Sequence, residues 1–161
     1  MPAEDPQTQI RPASIADLES LVALRVTMFE AMGYESQALV QSIDSMCDYF
    51  EKHLPSGAFR VWVAEHKGTP IASIGLVIHS IPPSPHNAVG KEAYLMNLVT
   101  LPEYRRQGIA KRLLRHVVDI VRSEGIQTVS LHASSEGRRL YEELGFVLRE
   151  DVPEMVLKLT A

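Results

Sequence analysis

A strand-to-helix turn at residues 105–110 constrains the fold of this chain more than any other feature. An apolar run from Tyr94 to Leu101 precedes it, and an amphipathic run from Ile109 to Val121 follows. The segment Arg105-Arg106-Gln107-Gly108-Ile109-Ala110 therefore joins a strand to a helix. Thr128 to His132 reads as the next strand, and a strand–helix–strand unit of this kind closes as a right-handed parallel crossover. The turn also has a chemical character. It gathers free backbone N–H groups and the positive end of a helix dipole at one spot. Gly108 lets a ligand approach the main chain, and Ala110 keeps the next helical position small. Five basic residues and no acid lie between Arg105 and Arg115, in a chain of net charge −4. An anionic ligand is expected there.

The flanking sequence supplies the rest of the fold. Residues 1–6 read as a loose tail and Gln7 to Arg11 as a first strand. Ser14 and Asp17 have capping-box spacing, with Asp in place of Glu. The helix they open carries Ile15, Leu18, Leu21, Val22, Leu24 and Phe29 at helical spacing and stops at Gly33. A second helix spans about Gln37 to His53. Phe59 to Glu65 and Ile71 to His79 alternate as a hairpin turned at Lys67 to Pro70. Ile81 to Gly90 is a long connection, either a substrate-side lid or a surface excursion. Glu92 to Leu101 is the strand that leads into the turn. Gly137 to Leu144 is a short helix capped by Gly145, and Phe146 to Arg149 and Met155 to Leu159 follow as two closing strands. The order is β-α-α-β-β-β-α-β-α-β-β. It implies an α/β (α+β) fold: a mixed, mostly antiparallel central sheet of about six to seven strands, with helices on both faces.

Composition narrows the function. A chain of 161 residues is expected to form one domain, 1–161, burying roughly two-thirds of its unfolded surface. A basic patch within an acidic chain suits a small anion better than nucleic acid. Cys47 is the single cysteine, and its place on an apolar helical face reads as a core thiol. No run approaches the roughly 20 apolar residues of a membrane span, and Met1 to Gln9 lack a signal-peptide core. A cytoplasmic protein without membrane association is expected. The histidines show no ligand-like spacing with carboxylates or Cys47, so no metal is expected.

Two motifs then resemble a known family. Arg105-x-x-Gly108-x-Ala110 after a strand resembles the [Q/R]-x-x-G-x-[G/A] signature of the GNAT superfamily of N-acetyltransferases. Leu131-His132-Ala133-Ser134 with Gly137-Arg138-Arg139-Leu140-Tyr141-Glu142-Glu143-Leu144-Gly145-Phe146 resembles its second signature. The likeness extends over nearly the whole chain, because the element order is also that of the superfamily. It implies that acetyl-CoA is the co-substrate. The pyrophosphate would lie on Arg105, Arg106, Gln107, Gly108, Ile109 and Ala110, with Lys111 adding charge. The pantetheine arm would lie between the strands of Leu98-Val99-Thr100 and Leu131-His132-Ala133, pairing with exposed backbone as an added strand does. An N–H near Leu98 or Val99 would polarise the thioester carbonyl.

The resemblance also implies that Tyr141 is the acid that protonates the leaving thiolate, a thiol pKa being about 8.5 and a tyrosine's about 10. A role in core packing is compatible with the same ring. Ser134 is a second partner for the sulfur or the pantetheine. The general base is not evident. An alkylamine is only about one part in a thousand neutral at pH 7, so some group must take its proton. Glu92 has the wrong side-chain parity to face the site beside Asn97 unless a bulge intervenes, and Glu30 is a further possibility. His132 reads as a wall residue or a base, and Asn97 as a substrate contact or filler of the strand face. Glu30, Glu35, Asp44 and Asp48 could rim an acceptor site for a cationic amine.

The function that follows is transfer of an acetyl group from acetyl-CoA to a primary amine by direct attack in a ternary complex, on a small molecule. The alternatives are transfer to a protein amine and an acyl-CoA-binding sensor without turnover. No motif decides whether the chain forms a homodimer.

Overall fold

The computed structural model describes residues 7–151 and 153–159, so the tail at 1–6 lies outside the described residues. Five strands form one sheet in the order β1-β2-β3-β4-β5: β1 Thr8–Pro12, β2 Arg60–His66, β3 Thr69–Ser80, β4 Lys91–Thr100 and β5 Val129–Leu131. The first four pair antiparallel, and β4 pairs parallel with β5. The helices are α1 Leu18–Ala31, α2 Ser36–His53, α3 Ile109–Ser123 and α4 Arg138–Glu143. The mixed, mostly antiparallel sheet and the parallel crossover are those expected.

Strand alternation builds a core on each face of this sheet. Trp62, Ile74, Leu76, Ala93 and Leu95 pack against Leu113, Leu114, Val117 and Val121 of α3. Phe59, Val61 and Val63 pack against Leu21 and Val22 of α1 and Met46 and Phe50 of α2. The capping box forms as its spacing requires. Asp17 Oδ2 accepts from the Ser14 N–H at 2.8 Å, at a turn of 3-10 helix, Ile15–Asp17, that leads into α1. Among the described residues, no helix is long and apolar enough to cross a membrane.

The expected strand count is corrected. Phe146 to Arg149 and Met155 to Leu159 do not join the sheet, which among the described residues has five strands rather than six or seven. A strand has no hydrogen bonds of its own, so apolar alternation yields one only where a neighbouring edge is met. These segments meet none: Val147 is 81% exposed and Leu157 82%.

The 81–90 connection closes on itself. The Ile81 N–H donates to the Gly90 carbonyl at 2.9 Å. The buried Asn87 donates to the Lys91 carbonyl, and its Oδ1 accepts from the Gly90 N–H.

Candidate active site

The 105–110 turn takes its shape from two left-handed residues. Arg106 has φ 64°, and Gly108, the residue before α3, has φ 78°. Inside α3 the first amide to find an intrahelical partner is that of Arg112, which donates to the Gly108 carbonyl at 3.0 Å. The preceding amides, Arg106 through Lys111, have no acceptor among the described residues. A Cβ on Gly108 would meet nothing within 4 Å, so the concavity is open. Together these form a cradle of aligned donors at a helix N-terminus, which fits a pyrophosphate.

The basic side chains divide their duties. Arg105 Nε donates to the Thr100 carbonyl and Gln107 Nε2 to the Glu103 carbonyl, which fasten the turn. Lys111 Nζ pairs with Glu143 at 2.8 Å, tying α3 to α4. Arg106 is exposed and bonds no side chain or carbonyl among the described residues.

The sheet opens beside this cradle. Strands β4 and β5 pair only over Ala93–Leu95 and Val129–Leu131, while β4 runs on to Thr100. Past Leu95 it therefore has no strand partner on the β5 side among the described residues. A bulge lies in the same stretch: Ser73 faces Val99 and Gly75 faces Met96, so Ile74 alone opposes Asn97 and Leu98. Asn97 adopts φ 55° within it. The bulge turns Met96 and Asn97 to the α1–α2 face, while Leu98 packs on the α3 side. Glu92 thereby shares a face with Asn97, as only a bulge could allow, yet it does not line the cavity there. Val99 is buried, so it is the backbone of this strand that is available. The Thr100 hydroxyl is buried without a hydrogen-bond partner in the structure.

Tyr141 stands on α4, its ring packed edge-on against Phe146 at 5.9 Å. Burial raises its pKa above the ordinary tyrosine value, which keeps the phenol protonated at neutral pH. Ser134 Oγ accepts from the Gly137 N–H at 3.1 Å. A Cβ added at Gly137 would lie 2.9 Å from Tyr141 Cε2 and 3.2 Å from Ser134 Oγ. The two side chains are thus neighbours, and only a glycine fits between them.

His132 follows the last paired residue of β5, on the sheet face shared by Tyr94 and Ser130. Its Nδ1 lies 2.5 Å from the Tyr94 hydroxyl and its Nε2 2.9 Å from Glu154 Oε2. A neutral imidazole satisfies both contacts with its proton on Nε2. Burial, then the charge of Glu154, raises the Tyr94 pKa.

On the α1–α2 face lies a cavity of about 540 Å³. Phe29, Tyr34, Tyr49, Phe50 and Phe59 give it an aromatic wall, and Arg25 and Asn97 stand together inside it. Arg25 Nη1 donates to Asn97 Oδ1 at 2.5 Å. Glu30, Glu35, Asp44 and Asp48 are exposed and none is among the residues that line the cavity. No group of three His, Cys, Asp or Glu among the described residues could hold a metal ion.

Sequence reasoning missed Arg25, Tyr94 and Glu154. Arg25 did leave a signal: Leu18, Leu21, Val22, Arg25 and Phe29 share one helical stripe, and a lone arginine there is a charge turned inward.

Comparison with known proteins places this architecture. Residues 21–146 match the model of the acetyltransferase (GNAT) family, and the chain belongs to that family. The GCN5-related N-acetyltransferase of Ralstonia eutropha JMP134 is 30% identical, with TM-score 0.83 over 92% of this chain and 98% of that one. A predicted acetyltransferase from Clostridium acetobutylicum, solved with acetyl-CoA, is 27% identical with TM-score 0.83, over 92% and 96% of the two chains. The ribosomal protein bS18-alanine N-acetyltransferase of Escherichia coli (strain K12) is 38% identical over 58 residues. That match spans 34% of this chain and 39% of that enzyme, well under half of either.

Proposed function

We propose that this chain transfers an acetyl group from acetyl-CoA to the primary amine of a small molecule, by direct attack in a ternary complex. The observation that carries the reading is the opening between β4 and β5, with the donor cradle at one end and an aromatic-walled cavity on the adjoining face. Acetyl-CoA, when bound, supplies the thioester whose acyl carbon the amine nitrogen attacks as the C–S bond breaks. The amides of Arg106 to Lys111 hold its pyrophosphate, and the free edge of Leu98, Val99 and Thr100 receives its pantetheine. Amides on that edge polarise the carbonyl as negative charge grows on its oxygen.

Two proton movements remain, and the chain has a group for each. Tyr141, kept protonated by burial, gives its proton to the departing thiolate, and Ser134 supports it from the adjacent position. The amine's proton has an acceptor chain in Tyr94, His132 and Glu154. Tyr94 lies two residues before Met96 on the same face, about 7 Å along the strand, and Met96 lines the cavity. Tyr94 takes the proton as it passes its own to His132 Nδ1, and the carboxylate of Glu154 stabilises the imidazolium.

A cavity of about 540 Å³ has the size of a small-molecule pocket, which favours a small acceptor over a protein chain. The test is release of free thiol from acetyl-CoA across a panel of amines and peptides. Turnover of small amines over peptides is the expected result. Binding of acetyl-CoA without turnover of any acceptor would instead indicate a sensor.

A further inference from the structure

We infer that the α1–α2 cavity selects an α-amino acid with a large apolar or aromatic side chain, whose carboxylate pairs with Arg25. The inference rests on the transferase reading and names its acceptor.

Arg25 carries the argument. It stands on the inward stripe of α1, in a cavity whose lining includes no carboxylate. No acid among the described residues pairs with it. Its contacts are the Asn97 side-chain oxygen and the face of Phe29, 4.9 Å from the guanidinium carbon. Every other arginine with a resolved shift in its acidity has a carboxylate partner: Arg11 with Asp17, Arg138 with Glu142, Arg149 with Asp151. Arg25 alone among them is shifted downward, by burial. A guanidinium has five N–H donors, and a charge withdrawn from water without a counter-charge is costly. A carboxylate supplies that charge in a bidentate fork that matches the donors.

Geometry places the amine. Arg25 is bonded to Asn97, and Asn97 sits in the β4 bulge where the strand has left β5. In an α-amino acid the nitrogen is two bonds from the carboxylate carbon, about 2.5 Å away. A carboxylate on Arg25 therefore holds the α-amine beside the bulge, at the free edge assigned to the thioester. The third substituent of the α-carbon has the aromatic wall of Phe29, Tyr49, Phe50 and Phe59 to fill. A simple cationic amine, by contrast, would meet a like charge at Arg25.

The test compares L-phenylalanine with L-phenylalaninamide, phenethylamine and spermidine, on wild-type protein and on Arg25→Gln and Arg25→Lys. Acceptor binding is measured by calorimetry in the presence of coenzyme A, and turnover by thiol release with acetyl-CoA. Phenylalanine should bind wild type roughly 10- to 100-fold more tightly than its amide, the usual effect of losing a charged hydrogen-bonded partner. Arg25→Gln should erase that preference while still binding coenzyme A, and Arg25→Lys should restore part of it. Equal binding of the acid and the amide, or a loss in Arg25→Gln that is uniform across all four compounds, would overturn the inference. If phenylalanine binds selectively but is never acetylated, the pocket assignment stands and the transferase reading fails.

Discussion

Tyr141 is set by its neighbours to within the width of a methyl group. Its ring rests on Phe146, and the missing side chain of Gly137 leaves it room. Burial holds its proton more tightly than in free tyrosine. An acid must be protonated to act, so activity should fall on the alkaline side only above the ordinary tyrosine value of about 10. Tyr141→Phe should lower kcat by about 10²- to 10⁴-fold, the usual range for a lost general acid, with little change in acetyl-CoA affinity. Unchanged kcat at pH 7 would remove Tyr141 from the chemistry. Gly137→Ala tests the same ring sterically. Its backbone φ of −77° suits any residue, so the contacts at issue are the 2.9 Å one with Tyr141 and the 3.2 Å one with Ser134 Oγ. A displaced ring should cost on the order of tenfold to a hundredfold in kcat. A crystal structure of the variant would show whether the ring has moved.

Two helix N-termini show what local sequence can specify. At α3, Gly108 supplies both the left-handed turn and the open floor of the cradle. Gly108→Ala should destabilise the fold by about 1–2 kcal/mol through backbone strain alone. It should also weaken acetyl-CoA binding, because the new Cβ projects into the open side; titration calorimetry separates the two effects. At the 3-10 turn before α1, Asp17 accepts from Ser14 and from both terminal nitrogens of Arg11. The Arg11 hydrogen bonds, more than its Coulombic attraction, lower the Asp17 pKa. A carboxylate depressed in the folded state contributes stability above its unfolded pKa of about 3.9 and loses it as pH falls through the lower folded value. Asp17→Asn should cost about 1–2 kcal/mol near pH 7 through the weakened charged pairing with Arg11 and flatten the loss of thermal stability between pH 5 and 3. An equally steep acid loss in the variant would place the effect elsewhere. Both termini were legible because the signal lies within a few consecutive residues. Phe146 to Arg149 and Met155 to Leu159 misled for the opposite reason: their alternation is local, but pairing depends on an edge that sequence does not display.

The sheet divides the molecule by task. Its α3 face builds a continuous apolar core beneath the cradle, and its α1–α2 face carries the cavity. The first was readable from periodicity. The second joins positions as distant as Arg25 and Asn97 through a bulge, and no spacing rule announces such a meeting. This division makes the two binding functions separable by a single change on the acceptor face. Gly75 lies in β3 between Val61 and Met96, and a Cβ there would fall 2.5 Å from the ring of Phe59. Phe59 is almost wholly buried and also forms part of the cavity wall, so its ring has little space for retreat except into the cavity. Gly75→Ala should therefore cost about 1–3 kcal/mol by overpacking, a fall in Tm of roughly 2–4 °C for each kcal/mol in a chain of this size. The retreating ring should raise KM for a bulky acceptor several-fold. Acetyl-CoA affinity should fall much less, since the pyrophosphate cradle lies on other elements and only the β4 edge adjoins Gly75. Parallel loss of acceptor and acetyl-CoA affinity in a folded Gly75→Ala protein would mean that the two sites share one mechanical unit, and that the sheet does not keep them apart.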